Sequence, residues 1–110
     1  MGKIAAEADE HAARELALWA ANDWPSYRAR TLPTYRNLER KWRAGTYSRD
    51  LAVPFMAESL VTAARSYAVD NASSALEWAE LFPPATRRLA AEELLEHAEA
   101  EWKLGNWFAS

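Results

Sequence analysis

The sequence predicts an all-α protein: a single compact bundle of four to five helices spanning residues 1–110, with proline-broken second and fourth segments. Apolar residues recur at steps of three and four in several stretches, and no stretch alternates for more than two or three residues in the manner of a strand. β-Branched residues, which favour strands, are scarce. The chain has 110 residues, half of them hydrophobic, which bounds it to one domain with a sizeable core.

Each element has its own signals. Ala5, Ala8, Ala12, Leu16 and Trp19 give one apolar stripe on a helix over 3–22, with Glu7, Asp9 and Glu10 early in it, where acids complement the helix dipole. Asn22-Asp23-Trp24-Pro25 ends this helix and starts the next, since proline suits a first helical turn. The second helix covers 25–44, and Pro33 predicts an interruption near Thr31-Leu32-Pro33 by removing a backbone donor and crowding the preceding turn. Beyond it Tyr35, Leu38 and Trp42 form a stripe, and Gly45 suits a left-handed C-terminal cap. Ser48 reads as the cap of a third helix over 49–69. Leu51, Val53, Phe55, Met56, Leu60, Val61, Ala64, Tyr67 and Ala68 cover well over half its circumference, so it is expected to be the central helix, packed on several sides and bent at Pro54. Ser73 or Ser74 caps a short fourth helix over 75–81, and Pro83-Pro84 stops it. The last helix runs over 84–104, burying Leu89, Ala91, Leu94, Leu95, Ala98 and Trp102, with Gly105 closing it before an aromatic tail, 105–110.

Composition excludes several functions. The absence of cysteine removes disulfide scaffolds, zinc ribbons and thiol nucleophiles. Three glycines leave no phosphate-cradling loop. No apolar run approaches the ~20 residues that span a bilayer and no signal-peptide core is present, so a cytoplasmic protein is expected. No Gly-x-Ser-x-Gly elbow occurs, and the acids lie on faces that read as solvated, where general acid–base work finds no perturbed group. The expectation is therefore no enzyme activity, no catalytic residue and no cofactor. Glu7-His11-Glu15 and Glu93-His97-Glu101 each put carboxylates one turn either side of a histidine. Such spacing is common on acidic helices, and no metal site is assigned from it.

Charge is uneven. Seven basic residues and one acid, Glu39, lie between Trp24 and Arg49. That segment carries +6 and the remainder −9, giving the chain its net −3. Within it Arg28, Arg36, Arg40, Lys41 and Arg43 are interleaved with Trp24 and Tyr47, so segment 24–49 is a candidate nucleic-acid contact in which guanidinium forks meet phosphates and rings meet bases. Against that stand the acidic balance of the whole chain and the place of Tyr35 and Trp42 on a core stripe. The candidate protein-binding residues are Glu92, Glu96 and Glu99 on the last helix, with Trp107 and Phe108 in the tail. The two rings either plug one end of the bundle or anchor a partner.

Asn22 to Arg28, then Pro33, Asn37-Leu38, Arg40-Lys41, Gly45-Thr46-Tyr47 and Leu51-Ala52, with Trp78, Phe82-Pro83 and Arg87 later, resemble a pattern in small helical proteins of bacteriophages and mobile elements. That resemblance covers most of the chain, carries no catalytic signature and transfers no site residue; it implies an accessory protein that binds a host or phage macromolecule. The functional expectation is thus non-enzymatic protein–protein interaction, for instance occupying a basic host nucleic-acid-binding or defence protein, with nucleic-acid binding by segment 24–49 as the alternative. A second copy of the chain is a further candidate partner.

Overall fold

The computed structural model describes residues 10–70 and 83–108, including all their side chains except those of Trp24 and residues 66–70. Among the described residues every regular element is helical: α1 (Glu10–Asn22), α2 (Trp24–Ser26), a π-helical turn (Tyr27–Thr31), α3 (Leu32–Ala44), α4 (Arg49–Asp70) and α5 (Pro84–Lys103). The all-α prediction is correct. The first turns of the predicted helix over 3–22 and the whole helix over 75–81, with its Ser73 or Ser74 cap and Trp78, lie outside the described residues.

Pro33 acts differently from a simple break. The chain stays helical through it, and the interruption is the π turn just upstream, where the Leu32 N–H bonds to the Tyr27 carbonyl, five residues back. Widening the helix by one residue relaxes the crowding between the proline ring and the preceding turn. Pro33 then occupies the first turn of α3, where its missing N–H is no loss. Buried Thr31 secures the turn, its Oγ1 donating to the Ala20 carbonyl at 2.9 Å.

Both predicted glycine caps are present. Gly45 at φ 77° and Gly105 at φ 79° end α3 and α5. In each, the glycine N–H bonds three residues back, Gly45 to Trp42 and Gly105 to Trp102, and the next N–H bonds five back, Thr46 to Lys41 and Asn106 to Glu101. At the start of α4, the Ala52 N–H bonds to the Ser48 carbonyl. The helix runs unbroken through Pro54.

The core centres on α5, which packs along both α1 and α4. Ala90, Ala91, Leu94, Leu95, Ala98 and Trp102 of α5 meet Ala13, Leu16 and Ala20 of α1 and Val53, Met56 and Leu60 of α4, while Tyr35 and Leu38 enter from α3. Tryptophan supplies bulk where alanine cannot: Trp42, Tyr47 and Trp102 stack into one ring cluster with centroids 5.3–5.6 Å apart. The Trp102 Nε1–H is buried there without a hydrogen-bond acceptor.

The helix over 49–70 is less enclosed than its apolar breadth predicts. Leu51 is 75% exposed and Phe55 44% exposed, so α4, though it packs against α5, the π turn, α2 and α3, leaves one stripe largely uncovered by the described residues. No helix of the described residues is long and apolar enough to cross a membrane.

Candidate interaction surface

The charged segment divides into residues held internally and residues left free. Arg49, at the start of α4, grips Glu99 of α5 in a bidentate pair, Nε to Oε2 at 2.8 Å and Nη2 to Oε1 at 2.6 Å. Tyr47 donates its hydroxyl to the same carboxylate at 2.5 Å, and Glu96 stands 3.9 Å from Arg49. The donated bonds from Arg49 hold the Glu99 carboxyl below its ordinary range, partial burial opposing. Burial, with the adjacent carboxylate, pushes the Tyr47 hydroxyl well above its ordinary range. Three of the aromatics interleaved with the arginines turn inward: Tyr35 is buried, and Trp42 and Tyr47 belong to the ring cluster around Trp102, while the Trp24 side chain lies outside those described.

A second group of the basic residues holds the tail. Glu39, 1% exposed, is the one fully buried acid among the described residues. Its Oε2 accepts the Phe108 N–H at 2.6 Å, and its Oε1 lies 3.6 Å from Arg43 one turn on. Arg36 Nε donates to the Phe108 carbonyl at 3.1 Å, and the Arg43 guanidinium lies over the Trp107 ring at 4.0 Å. The Phe108 ring meets Tyr35 at 4.6 Å between centroids. Trp107 and Phe108 are both half-buried against the core, folded back onto α3. Sequence reasoning missed Glu39, although the signal was there: with Tyr35, Leu38 and Trp42 it occupies the i, i+3, i+4, i+7 stripe that faces inward.

Of the candidate protein-binding residues, therefore, Glu96 and Glu99 face Arg49, Trp107 and Phe108 pack on α3, and Glu92 is half-buried on α5. Of the candidate nucleic-acid residues, Arg36 and Arg43 hold the tail and Tyr47 holds Glu99. Arg28, Arg40 and Lys41 remain exposed and, with Arg30, make no ion pair among the described residues. The two histidines come to little: His11 pairs with Glu15 at 2.9 Å on the exposed side of α1, and no group of three or more His, Asp or Glu among the described residues is placed to hold a metal ion.

What sequence reasoning did not foresee is the open face of α4. Phe55 stands between two clefts facing α3. One, of about 410 Å³, is lined by Arg30, Pro33, Thr34, Phe55 and Ser59 among others; the other, of about 180 Å³, by Lys41, Tyr47, Leu51 and Phe55. Thr34 Oγ1 donates to the Arg30 carbonyl at 2.8 Å and shares a 2.9 Å hydrogen bond with Ser59 Oγ, tying α3 to α4 across the larger cleft. Lys41 Nζ sits 6.0 Å from the centre of the Phe55 ring. Comparison with protein-family models, curated proteins and solved structures finds no match to this chain.

Proposed function

We propose that this chain is a non-enzymatic binding protein whose partner is another protein, engaged through the uncovered face of α4. One observation carries the reading: Leu51 and Phe55, on consecutive turns of a helix that buries Val53, Met56 and Leu60 on its other side, present large apolar side chains to solvent beside clefts. Large apolar groups exposed together beside clefts are the usual mark of an interface. The resemblance to phage and mobile-element proteins favours an accessory role of this kind.

Affinity capture from the source cell's lysate tests it. The intact chain is compared with the double variant Leu51→Ser, Phe55→Ser, which touches little of the core. Loss of the captured protein from a variant whose circular dichroism spectrum shows the fold retained supports the reading; capture indifferent to both substitutions refutes it.

Nucleic-acid binding stays as the second reading because Arg28, Arg30, Arg40 and Lys41 are exposed and in no ion pair among the described residues. Phosphate-driven binding weakens steeply with salt. Absence of any DNA or RNA shift at low salt eliminates it.

A further inference from the structure

We infer that the α4 face receives an acidic amphipathic helix of the partner protein, an inference that rests on the reading of Leu51 and Phe55 as a protein-binding surface. Along α4, Leu51, Phe55, Glu58, Thr62 and Arg65 fall at i, i+4, i+7, i+11 and i+14. That spacing makes one stripe about 21 Å long, the alternating four-and-three rhythm of a helix–helix seam. Its first half is apolar and exposed.

Clefts flank the stripe on both sides. Toward α3 lie the two already described, bordered by Arg30 and Lys41. Toward α5 lies a third, of about 470 Å³, bordered by Arg65, Arg87 and Arg88. Glu58 and Thr62 line the clefts of both sides, so the stripe is a ridge between two grooves. The lining of these clefts thus includes five cationic side chains and a single acid, Glu58, in a protein whose net charge is −3.

A ridge whose first half is apolar and whose flanks are basic is complementary to a helix bearing an apolar seam and acidic flanks. Rows of carboxylates on either side of the seam would face the guanidinium and ammonium groups, as flanking charges do in paired helices. A partner strand would require an exposed sheet edge, and the described residues contain no strand. Single-stranded nucleic acid would require stacking platforms along the ridge, yet beyond Phe55 the ridge continues as Glu58, Thr62 and Arg65. The sequence hid this surface because Arg65, Arg87 and Arg88 lie outside the basic window of 24–49 and join Arg30 and Lys41 around one face only after folding.

A displayed library of random 16-residue peptides, selected on the immobilised full chain at low salt, tests the inference without knowledge of the partner. Enriched peptides are then made as fluorescent probes for anisotropy titration. The expected winners carry more Asp and Glu than Lys and Arg, with Leu or Phe at three-and-four spacing. Leu51→Ser with Phe55→Ser should weaken them at least about 10-fold. Arg30→Gln, Lys41→Gln, Arg65→Gln and Arg88→Gln together should weaken them about 10-fold and remove most of their salt dependence, circular dichroism confirming the fold. Changing Glu to Gln in the probe reads the same interaction without altering the protein. Neutral winners that still depend on Phe55 overturn the acidic partner while leaving the surface intact. No enrichment, or winners indifferent to Leu51 and Phe55, overturns the surface as well. A 20-nucleotide single-stranded DNA that binds more tightly than any selected peptide, and loses affinity in the four-residue variant, overturns both in favour of nucleic acid.

Discussion

Ending the chain at Gly105 is the most informative perturbation of the fold itself. It removes the Phe108 N–H that donates to Glu39, the carbonyl that accepts from Arg36, and two half-buried rings, Trp107 and Phe108. A hydrogen bond to a charged acceptor contributes about 1.5–3 kcal/mol. Fully burying a ring of this class stabilises by about 1.5–3 kcal/mol, so two half-buried rings add roughly 2 kcal/mol. The truncated chain should therefore lose about 3–5 kcal/mol, a large share of the ~5–15 kcal/mol typical of a domain. At about 4 °C per kcal/mol for this size, the melting temperature should fall by roughly 12–20 °C, read by circular dichroism at neutral pH. Glu39→Gln sharpens the test. In the intact chain it removes the charge beneath Phe108 and Arg43 and should destabilise by about 1 kcal/mol; in the truncated chain it removes a buried carboxylate that has lost its donor, and should be neutral or stabilising. A truncated chain melting within about 2 °C of the intact one, or an equal effect of Glu39→Gln in both backgrounds, would refute the account of the tail as a latch on Glu39.

Three further outcomes follow from particular contacts. Gly45→Ala keeps ample room for its methyl group but forces φ +77° on a residue with a Cβ, so chemical denaturation should report a loss of about 1–2 kcal/mol with an unchanged slope. Glu99 has a lowered folded-state pKa, so its contribution is present above the unfolded glutamate value of about 4.3 and is lost as pH falls through the lower folded value. A melting-temperature series through the acid range should therefore decline, and Glu99→Gln should flatten that decline. Leu51→Ser should change stability by no more than about 0.5 kcal/mol because Leu51 is 75% exposed, whereas Phe55→Ser, at a ring more than half covered, should cost about 1 kcal/mol in chemical denaturation.

Much of the fold was legible because helix signals are local. Glycine caps, proline at first turns and three-and-four stripes act within a few residues, and Gly45, Gly105 and the stripes of α3 and α5 are found where those signals put them. The π turn was not legible: a proline announces crowding but not whether the chain breaks or widens, and that depended on Thr31 finding the Ala20 carbonyl eleven residues away. The breadth of apolar surface on α4 was read correctly as contact with several elements, for α4 meets α5, the π turn, α2 and α3, but not as complete cover, for Leu51 and Phe55 stay exposed. Apolar width says that a helix can be covered on several sides, whereas the number of neighbouring helices decides how many sides are covered.

The same distinction governs the charges. From the sequence, an acidic last helix and a basic second segment each offer a surface. Folding consumes them unequally. Arg49 engages Glu99 and approaches Glu96, and Arg36 and Arg43 are taken up by the tail and Glu39. What remains beside the uncovered α4 face is cationic: Arg30 and Lys41 on one side, Arg65 and Arg88 on the other, none of them in an ion pair among the described residues. The sign of a surface is set by the charges left after internal pairing, which a count along the chain does not supply. A partner chosen by electrostatic steering would approach the basic grooves of this acidic protein, and its association rate, more than its dissociation rate, should respond to salt and to substitution of those four residues.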